Sequence, residues 1–595
     1  MQILLVHPAF PRDTFWSFEH ALEAAGRRAT MPPLGLLTVA GLLPADRFEL
    51  TLADENLGPT SDEAILAADV VFASAMIVQR QSLRRLVERC RRLGRPVVIG
   101  GPLVSACFSQ LVEEGSGSAH FFIGEAEQAM GWLVEDLERG ELRPAYAHVT
   151  DETRAQEVRD VFGPRTRCLV AARPSLDSSP LPRFDLLEMP AYHSMAVQTS
   201  RGCPIGCEFC DIWKQFGLKA RTSATSRVLD QLSLLFTLGW RGRVFVVDDN
   251  FIGNVGAARS LLPELIRWQR DPKPCFLPSD LRRALGPARE RRLLAGWRRD
   301  RRRRFPFAFS TEADVRIGMD APKLTEVREA MVAAGFNSLF LGIETPDSAS
   351  LLEAGKRVNV GKQGDAAANL LASVERIRRA GLEVMSGFIV GFDHDPPDID
   401  RSMVAFIERA AIPVAMVGLL AVGPGTDLEA RLAREGRLRG RFGGSQTHAF
   451  ELDFEPRGRS RGVVVEQYAR VLHALYGPGM GSFYARCETT IEQLPAPPRS
   501  GDRLGRRELL AFLRSLVSIR PRTDYWRFLA RVLLRRPRFL GMAVVLALQG
   551  DHLQRLTAVR LEEYRRRSAH LGPEPRAVES TADRREEEPV DAVPV

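Results

Sequence analysis

The sequence predicts an α/β protein: an N-terminal Rossmann-like doubly wound domain, a partial (β/α)6 barrel and a mainly helical C-terminal domain. Short apolar runs alternate with amphipathic helical patterns over residues 1–145, and six further strand–helix units follow within 191–425. Beyond about residue 426 the periodicity turns helical. One further feature stands out, three cysteines within eight residues at Cys203, Cys207 and Cys210.

The apolar runs of the first domain are 3–6, 48–52, 70–76, 97–100 and 121–123, separated by helical patterns such as 81–92, which places Leu83, Leu86 and Val87 on one face. Continuous apolar strands between helices imply a parallel sheet covered on both sides. Ligands of such sheets bind beyond the carboxyl ends of the strands. Those ends carry Ser74-Ala75-Met76, Gly100-Gly101-Pro102 and Gly124-Glu125-Ala126-Glu127. No G-x-G-x-x-G follows the first strand, which disfavours a dinucleotide. Residues 146–190, rich in Pro, Ser, Asp and Arg, read as a linker.

The second series has strands at 195–199, 244–248, 307–312, 338–344, 384–390 and 414–421, with helices such as 226–237 and 323–334 between them. Chemistry is expected at the carboxyl-terminal rim of this barrel. An Arg-rich insertion at about 273–304 interrupts it. The C-terminal domain spans 426–570 and includes basic amphipathic segments at 526–535 and 539–548. Residues 571–595 read as a disordered tail.

At 595 residues the chain exceeds what one core supports. Its 45% hydrophobic and 26% charged residues describe an ordinary globular composition. The N-terminus reads as strand and turn rather than a secretory leader, and no stretch reaches the roughly 18 apolar residues of a membrane-spanning helix. A cytoplasmic location is expected, extending to peripheral contact with the inner face of the membrane. The net charge of +8 is concentrated at 282–304. That run is either a solvated insertion or a patch for anionic lipid headgroups. With only Trp297 and Phe305 to stack on bases, no nucleic acid is expected.

Cys90, Cys107, Cys168, Cys275 and Cys487 are scattered singly, as small buried side chains are. The other three sit in Ser200-Arg201-Gly202-Cys203-Pro204-Ile205-Gly206-Cys207-Glu208-Phe209-Cys210-Asp211-Ile212, on the loop after the first barrel strand. Thiolates suit iron–sulfur clusters or zinc. Structural zinc wants four ligands, and the next candidates, Cys275 and His394, are remote. Three ligands with one position open fit a cluster whose fourth iron binds substrate.

This C-x3-C-x2-C segment, with an aromatic before its last cysteine, resembles the signature of the radical S-adenosylmethionine (SAM) superfamily. The resemblance implies that Cys203, Cys207 and Cys210 hold a [4Fe–4S] cluster that cleaves SAM to a 5′-deoxyadenosyl radical. It also implies SAM contacts from Phe209, from Asp248, Asp249 and Asn250 after the second strand, and from Thr311 and Glu312 after the third. Gly342 and Glu344 on the fourth strand and Gly387 and Ile389 on the fifth complete that set. An electron donor such as flavodoxin or ferredoxin is implied. The catalytic residues proper are not assigned.

A Rossmann-like domain ahead of such a barrel resembles the cobalamin-binding class, in particular the subgroup with a helical C-terminal extension that includes hopanoid C-2 methylases. The resemblance covers nearly the whole chain and rests also on Pro32-Pro33-Leu34-Gly35, Ser74-Ala75-Met76-Ile77-Val78-Gln79 and Asp248-Asp249-Asn250-Phe251-Ile252-Gly253. It implies cobalamin contacts from Ser74, Met76, Gln79, Gly100, Gly101, Pro102 and Glu125. The D-x-H-x-x-G loop that supplies a lower histidine ligand in other cobalamin proteins is absent, Leu5 and Phe10 standing around His7 where Asp and Gly would be. His7 reads as a turn or rim histidine. The implied activity is C-methylation of an unactivated carbon in a hydrophobic small-molecule or lipid substrate, using two SAM molecules and methylcobalamin. Two alternatives stay open: a cobalamin-dependent radical cyclase or rearrangement enzyme without methyl transfer, and a non-catalytic cobalamin-binding sensor. Methylthiolation of tRNA needs a second cluster, for which the first domain has only Cys90 and Cys107.

Overall fold

A computed structural model of the protein describes residues 1–274, 304–440, 450–497 and 522–571, less residues 13, 15 and 16, with short pieces inside 282–293 and 512–519. Cys275, residues 572–595 and more than half of the Arg-rich insertion lie outside the described residues. The first sheet comprises β1 (Gln2–His7), β2 (Glu49–Asp54), β3 (Val70–Ser74), β4 (Val97–Gly100), β5 (His120–Ile123), β6 (Ala145–Val149) and β7 (Arg167–Val170). All pair in parallel, in the order β2-β1-β3-β4-β5-β6-β7. Both faces are apolar because helices cover both. Ile3 and Leu5 pack with Leu36, Ala40 and Phe72, while Leu4 and Val6 pack with Val71, Leu83 and Leu86 on the other side.

The segment 146–190, read above as a linker, instead contributes most of β6, the helix Glu152–Phe162 and β7. Only Ala155 and Val158 of that helix are buried, and β7 is an edge strand with no buried residue. Neither element therefore carries the apolar period that marks an interior one. The crossing between domains is the shorter stretch 171–193. It is pinned where Tyr192 Oη donates to the buried Asp54 Oδ2 at 2.9 Å.

The second sheet opens with β8 (Ser194–Val197). A short antiparallel hairpin, β9 (Ser200–Arg201) with β10 (Arg221–Thr222), brackets the cysteine loop. Then follow β11 (Gly242–Val246), β12 (Phe307–Ala313), β13 (Phe336–Glu344), β14 (Glu383–Val390) and β15 (Ala415–Leu419). The order β8-β11-β12-β13-β14-β15 is parallel throughout, the expected partial (β/α)6 barrel. At the end of β13 the register shifts between Gly342 and Glu344, and Glu344 takes a left-handed φ of 67°. A bulge of this kind re-aims a side chain at a sheet rim.

A sheet that stops short of closure leaves unpaired edges. At β15 the helix Arg461–Tyr476 covers the edge. Tyr476 Oη accepts from the Ala415 N–H at 2.8 Å and donates to the Ala415 carbonyl at 2.9 Å. Helices Gly481–Gln493, Arg522–Arg535 and Leu540–Leu571 complete the C-terminal domain. The last of them returns to the first domain, where His552 packs on the Phe18 ring at 5.4 Å. Replacing Tyr476→Phe leaves both Ala415 backbone groups without these partners. We expect a loss of about 2 kcal/mol, seen as an earlier urea midpoint for unfolding of the barrel and C-terminal domain.

Candidate active site between the first sheet and the barrel mouth

The cysteine loop is anchored before its first cysteine. Asp248, just past β11, is buried, and its Oδ1 accepts from the backbone N–H groups of Thr199 and Ser200 at 2.7 and 2.9 Å. Its Oδ2 accepts the hydroxyls of the same two residues. Four donors fill the acceptor sites of one carboxylate. Asp248, expected above to contact SAM, is thus spent on the loop. Asp249 Oδ2 accepts the Gly202 N–H at 2.8 Å. Asn250 Nδ2 donates to Asp314 Oδ2 at 2.7 Å and faces Cys203 Sγ at 3.7 Å. Gly202 has a φ of 93°, and a Cβ there would lie 2.8 Å from the Gly217 carbonyl oxygen, so the turn admits glycine alone.

Cys207 is buried, while Cys203 and Cys210 are half-buried. Burial raises all three thiols, Cys207 to about 11. The thiols also raise one another, so they lie within each other's field. Among the described residues no three His, Cys, Asp or Glu side chains converge as ligands of a single ion. A cluster distributes its thiolates over separate irons. Its cationic irons would offset the burial that disfavours thiolates here.

Beside the loop, within one another's field, are the carboxylates of Asp249, Glu312 and Glu344. Burial pushes Glu312 up to about 7, with the charges of Asp249 and Glu344 adding to it. Burial likewise raises Asp249 to about 6. Glu344 is ion-paired with the buried Lys356. Burial works to lower the Lys356 ammonium, but Glu344 and the Cys207 thiolate overcome it, and its pKa is raised. A Cβ at Gly342 would meet Lys356 Nζ at 2.5 Å, so glycine makes room for the pair. Gly387 and Ile389 lie on β14, and Phe209 packs beside Phe392 at 6.1 Å. Thr311 is buried and donates to the Val246 carbonyl at 2.9 Å, a structural role.

A cavity of about 490 Å³ lies between the two sheets. Its first wall is made by the carboxyl ends of β3 to β6, with Ser74, Gly100, Gly101, Pro102 and Glu125 among its lining. The opposite wall is Asp211, Lys214 and Phe216, which follow Cys210, with Val247 past β11. Leu36, Phe72, Phe122 and Met130 make one end apolar. Met76 and Gln79 do not line it. Met76 is exposed, and Gln79 is buried with its amide on the Pro8 carbonyl and its Oε1 accepting the Met76 N–H at 2.8 Å. His7 is also absent from the lining and is buried beside Gln79.

Glu125 reaches the cavity wall with each of its oxygens in an ion pair. Its Oε2 is 2.7 Å from Arg201 Nη1 and its Oε1 is 2.7 Å from Arg221 Nη2. Glu127 Oε1 joins the same Arg201 at 2.7 Å. On the far side of the loop Glu208, next to Cys207, takes Arg431 of the C-terminal domain at 2.6 and 3.0 Å. Sequence reasoning missed Lys356, Arg201, Glu127, Arg221 and the Glu208–Arg431 pair. Glu127 lies in a motif already singled out, but ion pairs between distant segments leave no local pattern.

Cysteine loop, rim and facing sheet define the class: a radical SAM barrel joined to a B12-binding type of domain. Residues 24–134 match the B12 binding domain, residues 197–406 the radical SAM superfamily, and residues 426–565 a domain of unknown function, DUF4070. The chain is 36% identical over 478 residues to an uncharacterized methyltransferase of Synechocystis sp., covering 80% of this chain and 76% of that protein. It is 32% identical over 440 residues to the hopanoid C-2 methylase of Rhodopseudomonas palustris, covering 73% and 71%. The chain belongs to the family of B12-binding radical SAM methyltransferases, and its cofactors are a [4Fe–4S] cluster, SAM and cobalamin. Among solved structures it is similar to the radical SAM methyltransferase TsrM of Kitasatospora setae, at 16% identity over 73% of this chain and 75% of that one, with a TM-score of 0.49. It is also similar to the cobalamin-dependent radical enzyme OxsB, at 15% identity over 96% and 81%, with a TM-score of 0.49.

If Asp248 sets the loop, Asp248→Ala should cut iron incorporated on anaerobic reconstitution by more than about half, because four buried donors lose their acceptor. Iron and sulfide analysis checks this, and Asp248→Asn, which keeps one oxygen, should fall between that variant and wild type.

Proposed function

We propose that this enzyme methylates an unactivated carbon of a hydrophobic, hopanoid-like substrate held between its two cofactor sites. The observation that carries the reading is the shared cavity, one wall built from strand ends of the first sheet and the other from residues that follow Cys210. In this reading Cys203, Cys207 and Cys210 hold the cluster. Ser74, Gly100, Gly101 and Pro102 hold cobalamin. Glycine at 101 lets the end of β4 pack against the end of β3, since a Cβ there would lie 2.6 Å from Ser74 Oγ. Asp249, Glu312 and Glu344 form an acidic rim suited to the cationic ammonium and sulfonium of SAM. Gly342, Gly387 and Ile389 line its approach, and Phe209 shields the cluster. Together the cofactors supply a radical able to break an unactivated C–H bond and a methyl donor. The chain's own work is to orient them and exclude water. The electron comes from a flavodoxin or ferredoxin.

The test is anaerobic reconstitution with iron, sulfide and cobalamin, then incubation with SAM, reductant and a hopanoid extract. Wild type should release 5′-deoxyadenosine and S-adenosylhomocysteine, and product mass should rise by one methyl group. Cys207→Ala should release no 5′-deoxyadenosine and no methylated product, with S-adenosylhomocysteine limited to one cobalamin methylation. 5′-Deoxyadenosine without methyl gain would favour rearrangement chemistry, and no SAM cleavage by wild type would overturn the reading.

A lipid substrate would be met at a membrane, and the helix Arg522–Arg535 supports peripheral contact. Trp526, Leu533 and Leu534 are exposed, Leu534 at 84%. Arg527, Arg531, Arg535 and Arg538 flank them, with no acidic residue from 525 to 538. An apolar stripe edged by arginine suits an anionic bilayer surface. Among the described residues no helix is long and apolar enough to cross a membrane. Wild type should sediment with vesicles containing anionic lipid, and the double variant Leu533→Glu, Leu534→Glu should stay in solution. Equal sedimentation of both would remove this reading.

A further inference from the structure

We propose that Arg201 is a positioning residue that sets the distance between the two cofactor sites. It stands two places before Cys203, yet its guanidinium is held by Glu125 and Glu127, on the loop leaving β5 in the other domain. Its Nε also donates to Gln198 Oε1 at 2.8 Å, fixing the plane of the fork. Arg221, on the strand that closes the hairpin, completes the group through Glu125. Two carboxylates face two guanidinium groups, so the network is neutral as a whole. The side chains are only 3–17% exposed, and water screens such pairs little. Planar guanidinium–carboxylate pairs also constrain direction, which a lysine does not.

The crossing chain meets the same group. Ser179 Oγ donates to Glu127 Oε1 at 2.7 Å, Arg221 donates to the Pro174 carbonyl at 2.6 Å, and the Ala224 N–H donates to Asp177 Oδ1 at 2.7 Å. First domain, crossing segment and cluster hairpin thus converge on four charged side chains. The loop that presents the first cysteine and the loop at the cobalamin wall are one rigid unit. Glu208–Arg431, on the opposite flank, ties the same cysteine loop to the C-terminal domain and not to the first sheet. It serves as an internal control.

This inference rests on the two-cofactor reading above. The experiment is pulsed EPR of the reconstituted full chain, measuring the dipolar distance between the reduced cluster and cob(II)alamin. Wild type should give one narrow distribution. The double variant Glu125→Gln, Glu127→Gln should broaden it at least about two-fold, Arg201→Lys should broaden it less, and Arg431→Met, which frees the loop only from the C-terminal domain, should broaden it clearly less than the double variant. Hydrogen exchange of the cofactor-free chain supplies a second readout. Segments 124–128 and 200–222 should exchange about ten-fold faster in the double variant, with the rest of both domains unaffected. An unchanged distance distribution and unchanged exchange in the double variant would overturn the proposal, as would equal broadening by Arg431→Met. Wild type lacking either the cluster or the cob(II)alamin signal would overturn the two-cofactor reading, and this inference with it.

Discussion

Burying the Asp248 carboxylate imposes a condition that much of the site obeys. A charged group away from water must have its lone pairs met by donors, and Thr199 and Ser200 meet all of them. The chain leaving β8 is therefore directed by the end of β11, its neighbour in the sheet. From that point the turn at Gly202 follows, then the bond to Asp249, then the cysteines. Thiols raised by burial repel one another as thiolates, so a binding loop benefits from backbone held in place before any iron arrives.

Three parts of the chain converge on this loop. The barrel holds its start through Asp248, the first domain holds Arg201, and the C-terminal domain holds Glu208 through Arg431. The C-terminal helices have a second task in covering the β15 edge, where Tyr476 satisfies backbone groups that an incomplete barrel leaves open. Support for the open barrel and support for the cysteine loop thus come from one domain. The cavity lies where the two α/β units face each other with their strand ends, the place at which each fold positions loops rather than regular structure.

Much of the fold was legible in the sequence because buried parallel strands are apolar on both faces and helices between them are not. The six barrel strands follow from that contrast, as does the helix Arg80–Arg92. β7 and the helix Glu152–Phe162 were not legible: an edge strand and a helix with two buried residues look like linker. In the candidate site, Cys203, Cys207 and Cys210 stand out in the sequence because their spacing is short. Asp249 and Asn250 stand out by their place after a strand. Asp248 was equally visible, but its bonds to Thr199 and Ser200 were not, since a carboxylate that anchors a loop and one that meets a ligand have the same sequence signature.

Taken alone, the sequence determined the order of the two α/β units, the cysteine loop and the acidic rim, because each is written in neighbouring residues and in local apolar period. Only the tertiary structure decided which polar groups are spent internally. Asp248, Thr311, Gln79 and Glu125 all stand where a ligand contact was expected, and each is engaged by another segment. It also brought Lys356 into the field of Cys207 and Cys210, and Arg201 to Glu127. Partners so far apart in the chain meet through packing, and a buried charge takes whichever opposite charge the fold delivers to it.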